Sequence, residues 1–91
     1  MYENNINSIK RAQEGDKFEM DRLIRENNGL IWSIVKRFMN RGYEVEDLYQ
    51  IGCIGFIKSI KRFDTNFEVK LSTYSVPYIL GEIKRFIRDD G

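Results

Sequence analysis

The residues of this chain equip it for stacking and charge rather than for bond making. Tyr74 and Tyr78 are followed by Gly81, Lys84, Arg85 and Arg88. Wound as a helix from about Ser72 at roughly 100° per residue, these side chains fall on one face. Such a face can stack bases, admit a nucleic-acid backbone and neutralise phosphates. The same tyrosines can equally tuck their rings under neighbouring helices, because amphipathic aromatics usually bury part of their area. Both readings stand on this pattern alone. The other face carries Val76, Ile79, Leu80, Ile83, Phe86 and Ile87 and predicts a core stripe. Both faces belong to Lys61–Arg88, which holds two of the five tyrosines, three of the six phenylalanines and the only proline.

Catalytic chemistry finds little support. The sequence has no histidine and one cysteine, so imidazole catalysis, a zinc constellation and an internal disulfide are all excluded. No nucleophile–base motif surrounds Cys53, which reads as a hydrophobe on a helix face. No metal or cofactor is expected, and the chain is read as a non-enzyme. Its 91 residues suit one domain, and 42% apolar with 32% charged residues is ordinary for a folded protein. Net charge is only +1, so any nucleic-acid face must be local. Up to Phe56 there are 8 basic and 9 acidic residues; beyond it there are 7 and 5, a weak basic tilt toward the C-terminus. No apolar run approaches the roughly 20 residues of a transmembrane helix. MYENNINSIKR lacks the apolar segment of a signal peptide. The expected setting is cytoplasmic and reduced.

The elements that position these residues read as helices throughout, with no strand-period run, repeat or low-complexity segment. Ile6–Glu14 predicts a short helix closed by Gly15. Asp16 is the expected N-cap of Lys17–Glu26, with Glu19 completing a capping box. Asn27-Asn28-Gly29 marks a break or a weak spot. Leu30, Ile31, Ile34, Val35, Phe38 and Met39 then form an apolar stripe, while Trp32 lies off it and should pack against another element. Asn40-Arg41-Gly42 ends that helix, with Gly42 suited to the left-handed position. Glu44–Phe63 predicts a long helix whose core face is Val45, Leu48, Tyr49, Gly52, Phe56, Ser59, Ile60 and Phe63. Gly52, Gly55 and Ser59 would let another helix come close, at a cost in helix propensity. Ile51, Cys53, Ile54 and Ile57 make its far side apolar as well. A helix apolar all round is either central or covered by a partner, and so short a chain has few helices to cover both sides. Asp64-Thr65-Asn66 is a turn cluster. Ser72 is a candidate cap for the last helix. Pro77 implies either a start nearer Ser75 or a kink, and each alternative would splay Tyr74 outward. The fold class is all-α, a compact bundle of four to five helices.

Three runs carry a resemblance to a known family. They are Asn27 to Gly42 ending NRG, then DLYQIGCIGFIKSIKRFD (Asp47–Asp64), then KLSTYSVPYILGEIKRFIRDDG (Lys70–Gly91). Together they resemble conserved region 2 of the sigma-70 family of bacterial RNA polymerase sigma factors, and the GEIKRFIRDDG ending is most similar to the sporulation and general-stress branch. Residues 1–26, with RAQEGDKFEMDRLI, resemble the helices leading into region 2. Residues 27–91 match its core-binding and promoter-melting part.

The resemblance implies transcription initiation. A domain of this kind docks on the clamp helices of the polymerase β′ subunit and captures the non-template strand of the promoter −10 element as the duplex opens. It implies polymerase contacts at Asp47, Gln50, Ile51, Cys53 and Ile57, on the side where periodicity already finds an apolar row that includes Ile54. It implies DNA contacts at Phe63, Lys70, Thr73 and Tyr74, with Asn27 and Leu30 forming a pocket for a second flipped base. Tyr74 matches the aromatic residue that stacks the first base to leave the duplex. Tyr78, Lys84, Arg85 and Arg88 join this set from the helix face. An anti-sigma factor is a further partner class, and a fragment that binds polymerase or such a factor without engaging DNA is the alternative function. A generic single-strand binder is a third reading. There are departures: Pro77 and Tyr78 stand where primary factors have a tryptophan pair, and Gly81 and Lys84 where they have base-reading side chains. No helix-turn-helix domain falls within the sequence, which is expected of an excised domain or a truncated factor.

Overall fold

The computed structural model describes residues 5–90. Five α-helices follow one another: α1 (Ile6–Gln13), α2 (Lys17–Glu26), α3 (Asn28–Val35), α4 (Val45–Arg62) and α5 (Leu71–Asp90). A short 3₁₀ helix, Lys36–Phe38, extends α3. Among the described residues there is no strand, and no helix is long and apolar enough to cross a membrane. The all-α expectation holds.

Side-chain caps set the starts of the first two helices. The Asn5 side chain accepts from the Ser8 amide at 3.2 Å and starts α1. Gly15, at φ 102°, turns the chain into α2. The Asp16 carboxylate accepts from the Glu19 amide at 3.1 Å. The capping box is only half formed, however. Glu19 is buried and turns its carboxylate to Arg11 at 3.7 Å and Arg22 at 3.5 Å. It thereby ties α1 to α2, a use that a buried carboxylate needs more than a reciprocal cap does.

The break expected over Asn27–Gly29 is confined to Asn27, and α3 begins at Asn28. Its regular helix stops at Val35, short of the expected end, and tightens into the 3₁₀ turn. Ile31, Ile34, Val35 and Phe38 are buried, whereas Leu30 is half-buried and Met39 is exposed. Asn40 (φ 67°) and Gly42 (φ 87°) both adopt the left-handed conformation, so the reversal uses two positions where the sequence suggests one. Trp32 does pack on another element, stacking on Tyr49 of α4 with centroids 4.5 Å apart.

The core is centred on the α4–α5 pair. Leu48, Phe56 and Ile60 of α4 and Ile79 and Ile83 of α5 are fully buried, with Ile9 and Ile31 packed around them. Each such side chain contributes about 1.5–3 kcal/mol by leaving water. The α5 stripe is displaced from the expected one. Leu71, Ser75, Ile79 and Ile83 form its buried line at four-residue spacing, while Val76, Leu80, Phe86 and Ile87 are only half-buried. Ser75 satisfies its buried hydroxyl by donating to the Ser72 carbonyl at 3.0 Å, and Ser59 does likewise to Phe56 at 2.6 Å. Because α5 begins at Leu71, Ser72 lies inside it rather than capping it. Pro77 is an interior residue of that helix, not part of its first turn. Pro77 and Thr73 are both exposed, so water can serve the Thr73 carbonyl that the proline cannot.

Gly55 is the tightest point. A methyl group there would lie 2.5 Å from the Tyr78 carbonyl oxygen and 2.8 Å from the Ile79 Cα. Gly52 is less constrained, its nearest neighbour being the Ile31 Cγ2 at 3.1 Å. Helix propensity alone would make Gly55→Ala stabilising by about 1 kcal/mol. The backbone contact reverses the sign: Gly55→Ala should destabilise by about 1–3 kcal/mol in a denaturant melt, and Gly52→Leu by a similar amount through overpacking. A rise in stability for Gly55→Ala would mean that the helices can separate at no cost.

Candidate functional site

The C-terminal end of α4 and the first turns of α5 form an aromatic cluster. α4 ends because Phe63 takes an extended conformation (φ −67°, ψ 130°), and its ring is buried. Tyr74 meets Phe63 edge-on with centroids 5.3 Å apart, and Tyr78 lies 5.3 Å from Tyr74. The Tyr74 hydroxyl donates to the Arg62 carbonyl at 3.3 Å and accepts from the Tyr78 hydroxyl, 3.1 Å away. Tyr74 is thus half-buried against Phe63 instead of splayed outward, because α5 starts at Leu71 and runs through Pro77. Its ring still borders a hollow of about 90 Å³ lined by Arg62, Phe63, Asp64, Phe67 and Val69.

Phe67 is notable there, being 66% exposed. A turn holds it in place: the Asp64 carboxylate accepts from the Asn66 amide at 2.9 Å, and the Phe67 amide donates to the Asp64 carbonyl at 3.1 Å. Arg62, Asp64, Phe67 and Val69 are not among the residues singled out by helical periodicity, since three of them lie in the connection where no period applies. The ring of Phe67 beside a turn motif is the one signal that sequence reading could have used.

Beyond the rings, α5 presents Thr73, Pro77, Gly81, Lys84 and Arg88 as an exposed line. Arg85 departs from its expected company. It is exposed, but its guanidinium pairs with Glu82, which also accepts from Lys58 of α4 at 2.7 Å. Arg85 shares an open hollow of about 370 Å³ with Ile51, Glu82, Phe86 and Asp89, and so borders the outward side of α4. Arg88 pairs with Asp89 at 3.1 Å. Asn27 and Leu30 sit apart at the α2–α3 junction. The Asn27 amide donates to the Leu23 carbonyl at 2.9 Å, and no side-chain hydrogen bond joins either residue to the tyrosine cluster. Lys70 is exposed just before α5.

The outward side of α4 forms a second surface. Asp47, Gln50 and Ile54 are exposed, and Ile51, Cys53 and Ile57 are half-buried. Ile54 is 43% exposed and lies in one row with the half-buried Ile51, Cys53 and Ile57, so the apolar surface is a strip rather than a single side chain. Burial pushes the Cys53 thiol up, partly offset by the neighbouring Tyr49 hydroxyl. A raised thiol holds less of the reactive thiolate. Tyr49 is itself pushed up to about 12, first by burial and then by Cys53, and its hydroxyl donates to the Asn28 side chain. Among the described residues no group of acidic, cysteine or histidine side chains could hold a metal ion.

Glu82 carries a pH signature. Burial opposes its ionisation, but Lys58 and Arg85 outweigh that and hold its carboxyl below the ordinary value. A depressed folded pKa contributes stability above the unfolded value of about 4.3, lost as pH falls through the folded value. Glu82→Gln should flatten the acid limb of a stability–pH curve and lower stability near neutral pH by under about 1 kcal/mol. An unchanged acid limb would show that the Lys58–Glu82 link does not join α4 to α5 in solution.

Comparison with known proteins gives the family. A family model described as Sigma-70 region 2 matches residues 23–91. The RNA polymerase sigma-F factor of Priestia megaterium is 59% identical over 83 residues, which are 91% of this chain and 33% of that protein. The sigma-F factor of Bacillus subtilis (strain 168) is also 59% identical over 83 residues, covering 91% of this chain and 32% of the relative. The sigma-G factor of the same strain is 51% identical over 77 residues, covering 85% of this chain and 30% of the relative. The chain thus spans about a third of the length of these curated relatives. A helical bundle with these motifs, matched over more than half its length, is a sigma factor segment: the chain belongs to the sigma-70 region 2 family.

Proposed function

We propose that this chain serves transcription initiation in two ways. It docks on the β′ clamp helices of RNA polymerase through the outward side of α4, and captures non-template bases of the promoter −10 element at the α4–α5 end. The observation that carries the reading is the aromatic hollow, where Phe63 seats Tyr74 and leaves its ring half-exposed beside Phe67.

Extruding a base from the duplex costs a few kcal/mol. Stacking on a ring such as Tyr74 returns about 1–3 kcal/mol, and a ring fixed by Phe63 loses little freedom when it stacks. Lys84 and Arg88 hold phosphates along the exposed line of α5, a contribution that salt screens and that carries no sequence information. Thr73 reaches base edges, and Asn27 and Leu30 serve a second base. Asn27 retains its side-chain oxygen for that purpose, its amide nitrogen being taken by Leu23. Asp47, Gln50, Ile51, Cys53, Ile54 and Ile57 make the clamp contact, and an anti-sigma factor is a further partner class. No bond is made or broken, so the chain acts as a binding module in the cytoplasm.

One observation favours the alternative that DNA is not engaged. Arg85 and Arg88 both have acidic partners within the chain, which weakens the field of the cationic face. A binding assay on a single-stranded −10 oligonucleotide, with the clamp helices present, separates the readings. Tyr74→Ala should weaken capture by about 1–3 kcal/mol with an unchanged salt slope. Arg88→Ala should weaken all sequences alike and reduce the slope by about one unit. Ile57→Asp should weaken clamp binding while its circular dichroism stays helical. If neither Tyr74→Ala nor Arg88→Ala alters capture, this face is not the DNA site; if Ile57→Asp unfolds the chain, Ile57 is core.

A further inference from the structure

We propose that Gln13, at the end of α1, is a positioning residue for base capture, fixing the α4 terminus on which Phe63 and Tyr74 are seated. This rests on the reading that Tyr74 stacks a promoter base. Gln13 Nε2 donates to the Ile60 carbonyl at 2.9 Å and to the Phe63 carbonyl at 2.7 Å. The last carbonyls of a helix lack intrahelical partners and need others. Here the Ile60 carbonyl accepts from the Phe63 amide at 3.2 Å and from Gln13 as a second donor, Gln13 also serves the Phe63 carbonyl, and the Tyr74 hydroxyl serves the Arg62 carbonyl from α5.

The geometry makes this more than a staple. Phe63 is the residue at which the chain leaves α4, and its ring is what Tyr74 meets edge-on. Its carbonyl and its ring share one Cα, so a hydrogen bond that fixes the carbonyl also limits where the ring points. α1 is a firm base for this. Ile9 and Ala12 are buried, and Glu19 links Arg11 of α1 to Arg22 of α2. Gln13 lies outside residues 23–91, the span that the family model matches.

The test uses the complete chain with a single-stranded −10 oligonucleotide in the presence of the clamp helices, alongside clamp affinity alone and thermal melting. Gln13→Met keeps the length of the side chain and removes its donors. It should weaken oligonucleotide capture about two- to tenfold with clamp affinity unchanged. Gln13→Lys restores a donor of similar reach, and its charge suits a helix C-terminus. It should recover capture at high salt, where its added charge no longer attracts DNA at a distance. Parental capture by Gln13→Met overturns the inference. So does an equal loss of clamp and oligonucleotide affinity that Gln13→Lys does not rescue, which would make Gln13 a general fold contact. Should Gln13→Met not fold, Gln13→Asn retains the amide with a shorter reach; intermediate capture supports the role and parental capture overturns it. Tyr74→Ala run in parallel separates the two levels. If Tyr74→Ala weakens capture while Gln13→Met leaves it at the parental level, only this inference falls; if Tyr74→Ala too is without effect, the capture reading falls and takes this inference with it.

Discussion

The backbone contact between Gly55 of α4 and Tyr78–Ile79 of α5 is the constraint on which the rest depends. Two helices of ordinary composition keep their axes 8–10 Å apart, with side chains filling the gap. A glycine at the crossing, backed by the small buried residues Gly52, Ser59 and Ser75, removes that layer locally. The consequence is positional. With Ile79 drawn against α4, Tyr78 and Tyr74 are carried round to the flank where α4 ends, within reach of Phe63 and the Arg62 carbonyl. An α5 held farther off would leave the same tyrosines on an unsupported surface.

The same approach sorts the charges. Lys58 and Glu82 come within 2.7 Å across the α4–α5 seam, and Glu82 then collects Arg85 as well. The cations of α5, which share one face on a helical wheel, are thereby divided. Arg85 is turned toward the flank shared with Ile51, while Lys84 and Arg88 stay on the exposed line. This division places the set proposed for polymerase and the set proposed for nucleic acid on adjoining strips of one helix pair. A shift of α5 against α4 would therefore alter both surfaces together, since the seam between them is also the core.

The sequence by itself determined the helical class, because apolar residues recur at helical spacing from Ile31 to Ile87 and nothing alternates as a strand would. It determined the starts and stops set by local chemistry, such as the Asp16 cap and the left-handed Gly42. It also marked the outward row Ile51, Ile54 and Ile57 and the need for small residues in α4. These are legible because each depends on residues a few positions apart. Tertiary structure decided which small residue matters most, since a glycine's neighbours come from another helix; it chose Gly55 over Gly52. It decided that Glu19 would bridge two helices rather than close its own cap, and that Leu71 and Ser75, not Val76 and Leu80, would complete the buried line of α5. It brought Gln13 to Ile60 and Phe63, partners 47 and 50 residues away, and seated Tyr74 on Phe63. Periodicity gives the direction of a side chain about its own helix axis. It cannot give the distance to another helix, and that distance is what turns two tyrosines into a supported surface.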